Sequence, residues 1–468
     1  MTEPSGGDQM LEGLEMAHAG RENRRTFLAA GLLCPLAAAL PGCRGDASAP
    51  SGEAETLPEV GLPAPAVPGA DEARRHAGGR LTYYAESVGI GGAIDRALCG
   101  RFTADTGISV NVVMRPRDST ETYATYQRLF QARSPDVDVV TLDVIWPGTF
   151  AAHLVDLKPA LGTAAAAHLE ALVQNDTVEG RLVAMPWFTD FGMLYYRTDL
   201  LQKYGYGGPP TTWDELGQMA ERIQAGERPS SRVFQGFVWQ GKAYEGLTCN
   251  ALEWVRSHGG GNLLEGRTPT VNNPEAARAL ARARSWIRAI SPVGVTGYEE
   301  EDSRNVFQGG NAAFLRSWPY VYSAASAEGS RVKGRFDVAP MPHEPGQPSV
   351  ATAGGWQLGV STYTRHEGAA TALVGYLSSP EVQRFRALAG GYIPTLQAVQ
   401  RDPAVVRKLP FLERMAGATL VARPSSDAGP RYNEISIAFY QGVSKALHGT
   451  APEEALEQIA QRMQRALR

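Results

Sequence analysis

From Leu81 onward the hydrophobic positions switch repeatedly between a period of two and a period near 3.6. Leu81 to Ala85 reads as a strand, Ile94 to Thr106 has helical spacing and stops at Gly107, and Ser109 to Met114 alternates as a second strand. Thr120 to Ala132 is helical again. Asp138 to Leu142 is an almost continuous apolar run, the pattern of a strand buried on both faces. Strands taking turns with helices predict an α/β fold whose parallel sheet is covered on both sides. Ligands of such sheets bind beyond the C-terminal ends of the strands, where Asp143 and then Trp146 fall.

The next stretch, a strand from Arg181 to Pro186 followed by PWFTDFGMLYYRTDLLQKYGY, carries five aromatic rings and one acid, Asp190, between Trp187 and Tyr196. A sugar has an apolar face of C–H groups that flat rings cover, and a rim of hydroxyls that donate charge-assisted hydrogen bonds to a carboxylate. The alternative is that these rings are core residues around a strand from Gly192 to Arg197. Within the stretch, Trp187 to Asp190 read as hinge and pocket wall, and Leu200 to Tyr206 as a structural helix.

Further on, Thr212 with Glu215 forms a capping box before a helix. Phe237 to Trp239 reads as a strand, Tyr244 to His258 as a helix ending at two glycines, and Asn273-Pro274 as the cap of a helix running to Ile290. The run FQGGNAAFLRSWPY predicts a broken helix, a buried strand, and a helix opened by Pro319 that presents Trp318 and Tyr320. Phe336 to Pro340 reads as a strand, the segment to Ala353 as a Pro- and Gly-rich loop, and Gly354 to Val360 as a return to the sheet. Helices follow at Ala369 to Leu377, Glu381 to Ala389, Tyr432 to Leu447 (preceded by Arg423-Pro424) and Pro452 to Leu467.

Length makes this more than one ordinary core: 468 residues suggest two or more folded units. Hydrophobic content of 43% and charged content of 20% fit a globular chain, and a net charge of −4 gives no support for a nucleic-acid partner. The N-terminus adds an address. Arg24-Arg25-Thr26-Phe27-Leu28, an apolar run to Leu40, and then Pro41-Gly42-Cys43 make residues 1–43 an export signal of twin-arginine type with a lipobox-like end. That makes Cys43 the expected lipid attachment point; Pro41 departs from the box, and ordinary cleavage with soluble release is the alternative. Residues 44–79, rich in Ala, Pro, Gly, Ser and Glu, read as a disordered tether. Cys99 and Cys249 are expected to stay unpaired.

Some motifs exclude chemistry. Gly89 to Ile94 follows a strand and opens a helix, but Ile94 stands where a dinucleotide fingerprint needs its third glycine. Its glycines instead predict a tight turn leaving backbone N–H groups to face a ligand. No nucleophile elbow, HExxH, paired-cysteine zinc spacing or P-loop occurs, so no catalytic residue, metal or cofactor is expected.

The motifs LDVIWPGTFA, LYYRTDLLQKYGY, TTWDEL, WQGKAYEGL, FQGGNAAFLRSWPY and GGWQLGVS occur in one order and spacing. From Leu81 to its end the chain thereby resembles the extracellular solute-binding proteins of carbohydrate ABC importers, and within them the trehalose/maltose-binding proteins. The resemblance implies a two-lobed periplasmic-binding-protein fold, maltose-binding-protein-like, with the ligand cleft between lobes. It places residues 80–187 plus 333–379 in lobe one and 188–329 plus 385–468 in lobe two. It implies Asp143, Trp146, Phe188, Asp190, Trp318, Tyr320, Gly355, Trp356 and Arg423 as substrate-binding residues. The family places an acid just after the first strand and an arginine in the next helix; here that region reads Glu86-Ser87-Val88-Gly89, and the helix begins Thr120-Glu121-Thr122-Tyr123.

Each position has a plainer alternative. Asp143 is a ligand or a helix cap, Trp318 and Trp356 are stacking platforms or core, and Arg423 is a ligand or a surface ion pair. Glu245 supports the WQGKAYEGL loop. The implied function is a monomeric, exported periplasmic or cell-surface lipoprotein that binds an α-glucoside disaccharide and delivers it to the transmembrane subunits of an ABC permease. The competing readings are a secreted glycoside hydrolase with Asp143 and Asp190 as its acid pair, and an adhesin or peptide-binding lipoprotein with a broad groove.

Overall fold

The computed structural model describes residues 62–468. The expected export signal, the lipid attachment at Cys43 and the first part of the tether lie outside the described residues. Residues 62–78 depart from the expected tether. Val67 is buried, its N–H donates to Asp105 Oδ2 at 3.0 Å, and the Tyr376 hydroxyl donates to the Pro65 carbonyl at 2.8 Å. A short helix, Ala70–Ala73, completes this strap. The few apolar residues among the prolines suffice to dock it.

Two sheets organise the chain. The first runs in the order Thr419–Val421, Val350–Val360, Val139–Asp143, Arg80–Ala85, Ser109–Met114, and Met185–Phe191 also pairs with Val350–Val360. Arg80–Ala85 is parallel to both its neighbours, as the alternation of strands and helices requires. The second sheet runs Phe336–Ala339, Met193–Arg197, Ala312–Ser317, Gln235–Val238. The expected capping box is present, with Thr212 and Glu215 bonded reciprocally. Gly107 closes the helix Gly91–Thr106 at φ 75°, the left-handed conformation glycine adopts without strain.

Only Gly192 separates Met185–Phe191 in the first sheet from Met193–Arg197 in the second. A Cβ there would lie 2.0 Å from Glu253 Oε1 and 2.6 Å from Arg316 Nη2, a fully buried ion pair. The second crossing is tied to the same place: Gly192 N–H donates to the Thr352 carbonyl at 3.3 Å, and Thr352 N–H donates to Glu253 Oε1 at 3.0 Å. The two connections between the sheets are therefore bonded to each other, and the second is fastened to the buried Glu253 carboxylate.

Several boundaries differ from expectation. Phe336–Ala339 was expected with the first lobe but pairs antiparallel to Met193–Arg197 in the second sheet. Residues 385–390 were expected in lobe two; the helix Pro380–Gly390 instead packs beside Gly91–Thr106, and Arg386 pairs with Asp95 at 2.5 Å. Helix periodicity cannot say which sheet a helix covers. The helix from Pro274 stops at Trp286, because the N–H groups of Ile290 and Ser291 turn back to the Trp286 carbonyl through Arg288 at φ 72°. The segment expected as a loop to Ala353 is already strand from Val350, and the strand Thr419–Val421 was not anticipated. Trp187 is fully buried under the Arg386 guanidinium, 3.7 Å from its ring centroid, and is core rather than pocket wall. Among the described residues Cys99 and Cys249 are both buried and free. No described helix is long and apolar enough to cross a membrane.

Candidate functional site

A cavity lies where the C-terminal end of Val139–Asp143, the crossing strand Met185–Phe191 and the start of the helix Tyr320–Ser326 converge. Of the nine residues singled out in the sequence, Asp143, Phe188, Asp190, Trp318, Tyr320, Gly355, Trp356 and Arg423 line it. Trp146 does not. It is buried behind Trp356, edge-on at 5.5 Å and 89°, and braces that ring.

Asp143 is no free acid. Arg423 Nη2 reaches its Oδ1 at 2.5 Å and Nη1 its Oδ2 at 3.2 Å, while Nη1 also reaches Glu245 Oε1 at 3.0 Å. Glu245 additionally accepts from Ser436 at 2.6 Å and from Tyr432. Burial raises the Glu245 carboxyl above its ordinary range, the Arg423 charge opposes this, and Asp143 adds to it. Arg423 is thus a buried ion pair rather than a surface one, and Glu245 both supports its loop and lines the cavity.

Arg115 and Arg117 are lining residues that sequence reasoning left out, and Glu86, weighed there as a substitute for the family's acid after the first strand and set aside, lines the cavity too. Glu86 Oε1 accepts from Arg115 Nη2 at 2.6 Å and from the N–H groups of Ser87 and Val88 at 2.8 and 3.0 Å. The arginine thus sits just after the strand Ser109–Met114, ahead of the helix where it was sought. Its signal was the adjacent Arg-Pro-Arg following an alternating strand. Two of the N–H groups of the glycine turn, expected to face a ligand, are engaged within the protein: Gly89 donates to Glu301 Oε1 at 3.3 Å and Gly91 to the Val88 carbonyl at 3.2 Å.

The two tryptophans of the cavity are half-buried, and each has one neighbouring guanidinium. Arg115 lies 3.6 Å from the Trp356 ring centroid and Arg316 lies 4.1 Å from that of Trp318. Glu300 fixes Trp318 through its Nε1 at 3.3 Å and is itself held by the Tyr244 hydroxyl at 2.7 Å. Gly355 brings Trp356 close to the crossing strand: at φ 130° it is in glycine's territory, and a Cβ would stand 2.6 Å from the Phe188 carbonyl oxygen.

Asp190 differs from every other acid in the cavity. Its Oδ1 is buried and has no hydrogen-bond partner among the described residues. Burial pushes its carboxyl well above the usual range, and the nearby Glu86 charge pushes the same way, with Arg386 opposing. An orphaned buried acceptor beside two tryptophans is a place for a donor from a ligand. Cys249, also on the lining, has its thiol pushed up to about 12 by burial, so it acts as a small apolar surface. Among the described residues no group of three His, Cys, Asp or Glu side chains is placed to hold a metal ion.

Residues 85–384 match the family model for bacterial extracellular solute-binding proteins. This chain belongs to that family. A probable ABC transporter-binding protein of Deinococcus radiodurans is 45% identical over 81% of this chain and 91% of its own length. Among solved structures, maltose-bound MalE3 of T. maritima is 38% identical with a TM-score of 0.77, over 82% of this chain and 98% of that one. An ABC transporter solute-binding protein of Thermotoga lettingae, bound with α-D-tagatose, shares the fold at 24% identity and a TM-score of 0.75, covering 83% and 100% of the two chains. The two-lobed α/β architecture is therefore that of the extracellular solute-binding proteins.

Proposed function

We propose that this solute-binding protein serves an ABC sugar importer, taking an α-glucoside disaccharide of the trehalose, maltose or sucrose type into the cleft and delivering it to the permease. The observation that carries the reading is the buried Asp190 carboxyl, whose Oδ1 has no hydrogen-bond partner among the described residues, on the same cavity lining as the half-buried rings of Trp318 and Trp356. A neutral sugar satisfies both at once, its hydroxyls donating to Asp190 and its C–H face resting on a ring. The likeness to the maltose-bound structure supports the same ligand class. Contacts reach the cavity from both sheets, Asp143, Asp190 and Trp356 from the first and Trp318 from the end of the second, so one ligand holds the lobes closed. The closed form then presents occupancy to the permease.

Binding without turnover is favoured over hydrolysis by Asp143. Both of its oxygens are engaged by Arg423 in a buried pair, which leaves no free carboxylate to act opposite Asp190. Export through the signal at residues 1–43, attachment through Cys43 and function as a monomer belong to the same proposal.

Calorimetry with trehalose, maltose and sucrose, followed by assay of the mixtures for free glucose, tests it. Tight binding with no glucose released is expected. Glucose release, or no heat with any sugar, overturns it.

A further inference from the structure

Arg316 is the last residue but one of the strand Ala312–Ser317 and is fully buried. Its guanidinium grips Glu253 with two bonds, Nε to Oε2 at 2.9 Å and Nη2 to Oε1 at 2.5 Å, and Nη1 donates to Gln240 Oε1 at 3.2 Å. A fork of this kind fixes the orientation of the guanidinium as well as its place. Its Cζ lies over the Trp318 ring, 4.1 Å from the centroid.

The same ion pair stands where the chain passes between the sheets. Glu253 Oε1 also accepts from Thr352 N–H at 3.0 Å, and the Thr352 carbonyl accepts from Gly192 N–H at 3.3 Å. A Cβ on Gly192 would stand 2.6 Å from Arg316 Nη2, and one on Gly354 would stand 3.1 Å from Trp318 Cζ3, so the ring edge lies against that glycine. The contacts close on themselves: Gly192 to Thr352, Thr352 to Glu253, Glu253 to Arg316, Arg316 to Trp318, and Trp318 back to the strand that holds Thr352. The guanidinium beside Trp356 has no such tie. Among the described residues Arg115 donates to Glu86 and to the Pro116 carbonyl.

We propose that Arg316 is a positioning residue for the ligand: with Glu253 it ties the Trp318 ring to both chain connections between the sheets, so that a shift at either connection moves the ring. A close-packed interior has no free volume in which a fully buried pair could absorb such a shift, and the displacement is passed on. The inference rests on the sugar reading for what Trp318 holds. It adds to that reading which residue sets the ring, and that Trp318 follows the hinge while Trp356 does not.

Fluorine NMR of the chain labelled with fluorotryptophan, with two resonances assigned through Trp318→Phe and Trp356→Phe, tests the tie in Gly192→Ala and Glu253→Asp. Neither position lines the cavity. Gly192→Ala pushes a methyl group into the ion pair, while Glu253→Asp keeps the buried charge balanced but is one methylene too short for the fork, so it reports on the tie even where Gly192→Ala does not fold. In the ligand-free protein both variants are expected to shift the Trp318 resonance and to leave that of Trp356 in place. By calorimetry they are expected to weaken, by about fivefold or more, binding of whichever of maltose, trehalose and sucrose the wild type holds most tightly. A Trp318 resonance that stays in place, one that moves together with Trp356, or a smaller loss of affinity overturns the positioning role and leaves the sugar reading intact. If the wild type binds none of the three sugars, the sugar reading fails and the positioning role falls with it.

Discussion

The Arg423 guanidinium meets the Asp143 carboxylate at 2.5 Å across 280 residues of chain, and extends to Glu245 at 3.0 Å. Asp143 ends a strand of the first sheet and Glu245 opens the helix Glu245–Ser257, so one arginine neutralises an acid from each side of the cleft. Removing one member of a buried ion pair leaves the others uncompensated.

Arg423→Ala is therefore expected to lower unfolding stability by about 3–5 kcal/mol. Arg423→Lys recovers only part of it, because a point charge cannot hold both oxygens of Asp143 and reach Glu245. Urea unfolding of the ligand-free variants measures this; an unchanged midpoint in Arg423→Ala would refute the load placed on the pair.

Asp190 predicts a pH dependence with a definite sign. Its folded carboxyl titrates well above the unfolded one, chiefly through burial. Between the ordinary carboxylate value and the raised folded value, the folded protein keeps a proton the unfolded chain has lost. This contribution to stability is intact in acid and declines as pH rises through that window. Ligand-free Asp190→Asn should melt above wild type at neutral pH and converge with it in acid, while losing sugar-induced stabilisation. A difference in melting temperature that stays constant with pH would contradict the assignment.

Trp356 and Trp146 should separate by role. Trp356→Ala removes a cavity face and is expected to weaken sugar binding more than tenfold, or about 1.4 kcal/mol. Trp146→Phe only loosens the brace behind it, an edge-on aromatic contact of about 0.5–1.5 kcal/mol, and should cost stability while affinity changes less than threefold. Equal losses of affinity would place both residues on the ligand.

A further link spans the rim. Lys242 Nζ lies 2.9 Å from Asp118 Oδ2 and 2.5 Å from Glu299 Oε1, with its side chain 35% exposed. Asp118 caps the helix Ser119–Gln131 beside the first sheet and Glu299 the helix Glu300–Gln308 beside the second. A partly exposed pair contributes only about 0.2–1 kcal/mol. Lys242→Ala should therefore speed ligand release by about two- to fivefold at low salt, and the difference should shrink at high salt as screening replaces it. Stopped-flow release at two ionic strengths reads this directly; a salt-independent effect would argue against the ion pair.

The sequence by itself determined the local elements and most of the lining. Thr212 with Glu215, Gly107 after Thr106, and the apolar run at Val139 to Leu142 announce themselves, because capping, left-handed closure and strand burial are properties of adjacent residues. Motif order brought eight of the nine chosen residues to one cavity. Only the tertiary structure decided which sheet Phe336–Ala339 joins, that Trp146 stands behind Trp356, and that Asp143 is spent on Arg423 while Asp190 Oδ1 is left without a partner among the described residues. These are contacts between residues far apart in the chain, and hydrophobic periodicity fixes which face of an element is buried but carries no information about what it is buried against.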